Sequence, residues 1–125
     1  MKTKTSSIVL MIICTLFTSV AQLFLKKGAN NLSLLSVLKF FESAITNPTL
    51  IIGCILYFIA ATIFVIALKG GELSVLYPII ATSYFWVTLL ALFFLNEQIN
   101  YFKWMGIFII FIGITFVGVG SKNAN

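Results

Sequence analysis

Charge is the scarcest commodity in this chain. Only 9% of its 125 residues are charged, against about 25% in a soluble domain. It contains no arginine and no histidine, and its three acids are Glu42, Glu72 and Glu97. Each acid falls in a connection or at the end of an apolar run, never in the middle of one. That argues against a proton-driven cation exporter, which needs a carboxylate that desolvation can bring into the neutral pH range. Cysteine is nearly missing as well. Cys14 and Cys54 both sit inside apolar runs, which marks them as packing residues and offers no disulfide or metal-ligand spacing. With no phosphate-cradling glycine loop, catalytic triad or acid pair, neither enzyme activity nor a cofactor is expected. The eight lysines give a net charge of +5 but are scattered between apolar segments, a poor footprint for nucleic acid. They fit anchors at a membrane–water interface.

What the chain does have is apolar surface: 61% hydrophobic residues and a mean hydropathy of +1.13. Four runs stand out, at 7–25, 49–68, 73–95 and 104–120. Each is about 17–23 residues, enough to cross a ~30 Å hydrocarbon core as a helix. None shows the alternating polarity of a membrane β-strand. The expected fold is an all-α membrane protein, a single four-helix bundle over 1–125. Between the first two spans, 33–43 sets Leu34, Leu35, Leu38 and Phe41 on one face and Lys39 and Glu42 elsewhere, as in a short helix lying on the bilayer. Asn47 then Pro48 marks a cap followed by proline at the first helical position. A cleaved signal peptide is the rival for the first run, with Lys2 and Lys4 before it and Ser19-Val20-Ala21 as a small-residue site. The apolar run continues past that site through Leu25, so an uncleaved span is expected.

Lysine placement leaves the orientation open. With four spans, one side carries Lys2, Lys4, Lys69 and Lys122, and the other Lys26, Lys27, Lys39 and Lys103. Four against four gives no positive-inside bias. Either Lys2 and Lys4 place both termini in the cytoplasm, or the chain inserts both ways and pairs as an antiparallel dimer. Small residues bear on that pairing, because they let membrane helices approach closely. Gly53, Ala60 and Ala67 repeat every seven residues in the second span, and Gly106, Gly113 and Gly120 do so in the fourth. The first stripe is expected to pack inside the protomer and the second is a candidate dimer interface.

Two polar stripes break the apolar pattern. Thr15, Thr18, Ser19, Gln22 and Lys26 share an arc of roughly 100° on the first span. Ser74, Tyr77, Ala81, Tyr84 and Thr88 share a face of the third, where Pro78 cannot donate to the Ser74 carbonyl and predicts a kink or hinge. Tyr84 and Trp86 lie near mid-span, where an OH or NH needs a partner. Lipid offers none, so the stripes face each other as a cavity wall or as helix–helix hydrogen bonds.

The stretch LYPIIATSYFWVTLLALFFLNEQINYFKWMGIFIIFIGITFVG resembles the last two helices of the drug/metabolite transporter superfamily (the EamA-type repeat). The shared features are Pro78 early in the third span, the Asn96-Glu97 pair, and the Gly106–Gly113 spacing. The first span, with Ser19-Val20-Ala21-Gln22 followed by Lys26, is similar to the four-helix branch of that superfamily. Within it, the Val-Ala-Gln region, Tyr77-Pro78 and Trp86-Val87-Thr88 resemble subunits of the undecaprenyl-phosphate-aminoarabinose flippase. This resemblance implies a multi-pass carrier of the cytoplasmic (inner) membrane, working by alternating access as a homodimer or as a heterodimer with a similar subunit. It implies a membrane lipid as partner: a polyprenyl-phosphate sugar, its phosphate met by Lys26 and Lys27 and its head group by Thr15, Thr18, Ser19, Gln22, Tyr77, Tyr84 and Thr88. Pro78 and Glu97 would act as hinge and gate. Small multidrug resistance exporters are the main alternative, and a non-transporting accessory subunit a second. Those exporters need a mid-span glutamate in the first helix; aligned on Lys26, that position here is Thr18.

Overall fold

The computed structural model describes residues 3–124, without the side chains of Lys122 and Ala124. These residues form six α-helices and no strand: α1 (Thr5–Ala29), α2 (Val37–Ile45), α3 (Pro48–Leu68), α4 (Leu73–Ile80), α5 (Ser83–Phe94) and α6 (Tyr101–Ala124). Four stretches are long and apolar enough to cross a membrane: α1, α3, α4 together with α5, and α6. α1 runs beyond 7–25 at both ends, because Thr5, Ser6 and the Lys26–Lys27 pair extend the helix outside its apolar stretch. Lysines in the last turn complement the negative end of the helix dipole.

The short connecting helix begins later than 33. Ser36 caps it, its Oγ accepting the Lys39 N–H at 3.2 Å, while the Ser33 N–H donates to Ser43 Oγ at 3.1 Å. Leu34 and Leu35 therefore precede α2, and its apolar face is Leu38, Phe41 and Ile45, all exposed. α3 starts as the Asn47-Pro48 pair predicts. Asn47 Oδ1 accepts the Leu50 N–H at 3.3 Å, and Asn47 Nδ2 reaches across to donate to Gly28 O at 2.8 Å. That second bond ties the end of α1 to the start of α3.

α1 packs along α3, and small residues set how closely. A Cβ on Gly28 would lie 2.8 Å from the Leu50 backbone nitrogen, and one on Gly53 2.9 Å from that of Leu25. Gly53, Ala60 and Ala67 are the residues that α3 buries, so this stripe packs within the protomer. Farther along, Met11 and Cys14 of α1 meet Ala60, Ala67 and Leu76 in the buried core. Gly70, in the turn after α3, accepts the Lys4 N–H at 2.8 Å, and Thr3 Oγ1 accepts the Glu72 N–H at 3.2 Å. Lys4 and Lys69 thus share one end of the bundle, and Lys26, Lys27, Lys39 and Lys103 the other, as the lysine count supposes. Lys2 and the side chain of Lys122 lie outside the described residues.

The third span is interrupted at Ala81–Thr82, after Pro78. There the backbone switches to tighter bonds, Ala81 N–H to Pro78 O and Thr82 N–H to Ile79 O, each at 3.0 Å. The Thr82 hydroxyl adds a 2.6 Å bond to Ile79 O. Proline removes one rung of the ladder before the break, and at the break Ile79 O accepts both the N–H and the hydroxyl of Thr82. α6 leans on α4, and Phe111 meets Phe85 of α5 edge-on at 5.8 Å. Otherwise it is exposed, Ile107 being its buried residue.

A hydroxyl-lined cavity and a charged neighbour

A cavity of about 400 Å³ opens between α1, α3 and the broken third span. Thr18 and Gln22 come from α1, Tyr57 from α3, Tyr77 and Pro78 from α4, Ala81 from the break, and Ser83 and Tyr84 from α5. The break at Ala81–Thr82 creates this wall, since an unbroken helix would not turn Ala81 and Ser83 together toward α1. Tyr77 and Tyr84 are 63% and 61% exposed, so the cavity is open at its side and not sealed. A smaller void of about 240 Å³ continues it toward the core, sharing Thr18, Tyr57, Tyr77 and Ile80 and reaching Cys14.

Hydrogen bonding decides what these hydroxyls offer. Thr18 Oγ1 donates to Cys14 O at 2.8 Å, which uses its proton and leaves its lone pairs as acceptors. Each tyrosine supplies a phenol that can donate or accept, and Gln22 an amide that does both. None of the lining groups is a carboxylate. The wall can hydrogen-bond a polar head but holds no acid to bind a proton.

The α1 stripe divides between two cavities. Ser19 and Lys26 line a second one, of about 250 Å³, with Leu23, Val87, Leu90, Ala91, Leu95 and Glu97. Val87 belongs to both, so the two adjoin across the α1–α5 contact. Glu97 reaches this place through Asn96, which takes a left-handed backbone (φ 53°) and turns the chain back so that the Glu97 N–H donates to Ala91 O at 3.2 Å. Asparagine is among the few non-glycine residues that adopt this conformation readily. Lys27 points elsewhere, its Nζ 5.8 Å from the centre of the Phe94 ring.

Two hydroxyls of the α1 stripe, one of them in a cavity wall, donate to carbonyls of their own helix. Thr15 is fully buried, and its hydroxyl donates to Ile12 O at 2.6 Å; Ser19 is buried and donates to Thr15 O at 2.6 Å. Thr88 donates to Tyr84 O at 2.6 Å and is absent from the cavity linings described above. A Cβ added to Gly106, Gly113 or Gly120 would meet nothing within 4 Å, so the α6 stripe has open space beside it among the described residues. Tyr57 and Ser83 are cavity residues that the sequence reading passed over. The available signal for Tyr57 was a phenol in mid-span, away from the interfaces where tyrosine is common.

No family model matches the chain, and no solved structure matches it. Curated relatives do. The chain is 33% identical, over 88% of its length and 86% of the relative's, to the "Probable 4-amino-4-deoxy-L-arabinose-phosphoundecaprenol flippase subunit ArnF" of Shewanella sediminis. It is 32% identical, over 86% of its length and 94% of the relative's, to the corresponding subunit ArnE of Pectobacterium atrosepticum. A third relative, protein y4nH of Sinorhizobium fredii, is 34% identical over 60% of this chain and 65% of its own.

Proposed function

The chain belongs to the family of the 4-amino-4-deoxy-L-arabinose-phosphoundecaprenol flippase subunits, and from that premise we propose that it carries the head group of a polyprenyl-phosphate sugar across the cytoplasmic membrane. It is an integral, multi-pass membrane protein with a flippase-like transporter's ancestry. The observation that carries the proposal is the side-open cavity of hydroxyls and one amide, free of carboxylates among its lining residues. A lipid-linked sugar suits such a wall, because its apolar tail stays in the hydrocarbon while only the head needs polar partners. In this reading Thr18, Gln22, Tyr57, Tyr77 and Tyr84 hydrogen-bond the sugar. Lys26, beside the adjoining cavity, meets the phosphate by charge-assisted bonds. The interrupted third span is the element that rearranges in alternating access. An open side also suits a dimer, homomeric or with a similar subunit, in which a second wall completes the path.

Proton-coupled export of cations finds less support, since Thr18 stands at the position where that mechanism holds its glutamate. The test is lipid binding in detergent or nanodiscs. Lys26→Gln is expected to weaken binding of a polyprenyl-phosphate sugar about tenfold, the size of one lost charge-assisted contact, at unchanged unfolding temperature. Unaltered binding would remove Lys26 from the site.

A further inference from the structure

The cavities stop short of one end of the bundle. Together they reach from Lys26 as far as Cys14 and Ile80. One helical turn beyond Cys14, Met11 is fully buried, as are Ala67 of α3 and Leu76 of α4. None of the three lines a cavity described above. Beyond this apolar layer the turn after α3 crosses the start of α1. There Gly70 O accepts the Lys4 N–H at 2.8 Å, and the Glu72 N–H donates to Thr3 Oγ1 at 3.2 Å. Gly70 and Gly71 let the turn sit this close. A Cβ on Gly70 would collide with Ser7 Oγ and lie 3.5 Å from Ser7 Cβ, and one on Gly71 would lie 2.6 Å from Thr3 Cγ2.

We propose that the Met11–Ala67–Leu76 layer and the Gly70–Gly71 turn are a closed gate, latched onto the start of α1. It opens when α4 swings about the break at Ala81–Thr82. Three features suit a contact that must part and form again. The latch is two hydrogen bonds at the end of the bundle, where water replaces them at small net cost. The two glycines set no side chain between the turn and α1. The break uncouples the eight-residue α4 from α5, so α4 can move while α5 keeps its wall at Val87. This rests on the reading of the chain as an alternating-access carrier and adds which end is shut and what holds it.

The experiment locks the latch. The 3.5 Å approach of a Gly70 Cβ to Ser7 Cβ falls in the range of a disulfide, about 3.5–4.5 Å. Ser7→Cys with Gly70→Cys, in a chain carrying Cys14→Ser and Cys54→Ser, is therefore expected to cross-link under mild oxidation. In liposomes the oxidised protein should lose most of its translocation of an undecaprenyl-phosphate amino sugar and regain it on reduction. A pair that does not cross-link overturns the proposal. So does an oxidised protein that translocates as fast as the reduced one, or a loss that reduction does not reverse. Spin labels at Ser6→Cys and Leu73→Cys follow the gate without any substrate, and in nanodiscs they should show a close and a separated population. A single close population also overturns the proposal. Two populations in a protein that translocates nothing would uphold the gate and defeat the carrier reading instead.

Discussion

At the scale of single residues, the end of the bundle that bears Lys26 is held by close backbone contact. Gly28 faces the backbone of Leu50, and a methyl there would sit 2.8 Å from its nitrogen. Backbone cannot swing aside as a side-chain tip can. Gly28→Ala is therefore expected to destabilise the protein by about 1–3 kcal/mol, the usual cost of overpacking, seen as a lower unfolding temperature in detergent. Gly113→Ala, with open space around it in the protomer, is the matched control and should leave the protomer's unfolding unchanged. Residues at this scale were unevenly legible. Asn47 and Pro48 announced their roles because capping chemistry is local. Tyr57 did not, because its direction depends on how α1 crosses α3, and the glycines that set that crossing are 25 residues apart in sequence (Gly28 and Gly53).

The elements were easier to read than their interruptions. The apolar runs fall on the four helical stretches that are long and apolar enough to cross a membrane, since hydrophobic length alone sets a span. Pro78 announced a disturbance in the third span, yet the break falls at Ala81–Thr82, where the Thr82 hydroxyl bonds Ile79 O. That site depends on a side chain choosing one carbonyl, which periodicity does not encode. If the break shapes the cavity, restoring the missing donor should stiffen it. Pro78→Ala gives residue 78 an N–H for the Ser74 carbonyl. The expected outcome is an equal or higher unfolding temperature together with slower lipid translocation. Unimpaired translocation would remove the interruption from the transport cycle. The polar stripe on α1 was legible as a stripe but not as two walls. Thr18 and Gln22 fall to one cavity and Ser19 and Lys26 to another, because α5 divides the arc at Val87.

For the whole molecule, the described fold buries little of α6, and its glycine heptad faces open space among the described residues. In lipid such a face is not penalised as it would be in water, so exposure alone does not demand a partner. We propose that a second four-helix subunit packs there. Gly113→Leu should then reduce cross-linking between cysteines placed on α6 while leaving the protomer folded; undiminished cross-linking would move the interface elsewhere. Lysine balance gives no orientation by itself; among the described residues the fold sets Lys4 and Lys69 at one end and Lys26, Lys27, Lys39 and Lys103 at the other.

Reconstitution into liposomes is the measurement that bears most directly on the carrier reading. Purified protein, alone and with a similar four-helix subunit, would be assayed for translocation of an undecaprenyl-phosphate amino sugar and for efflux of a cationic dye under a proton gradient. The hydroxyl-lined, carboxylate-free cavity predicts translocation of the lipid and no proton-coupled dye efflux. Proton-coupled dye efflux without lipid translocation would contradict it.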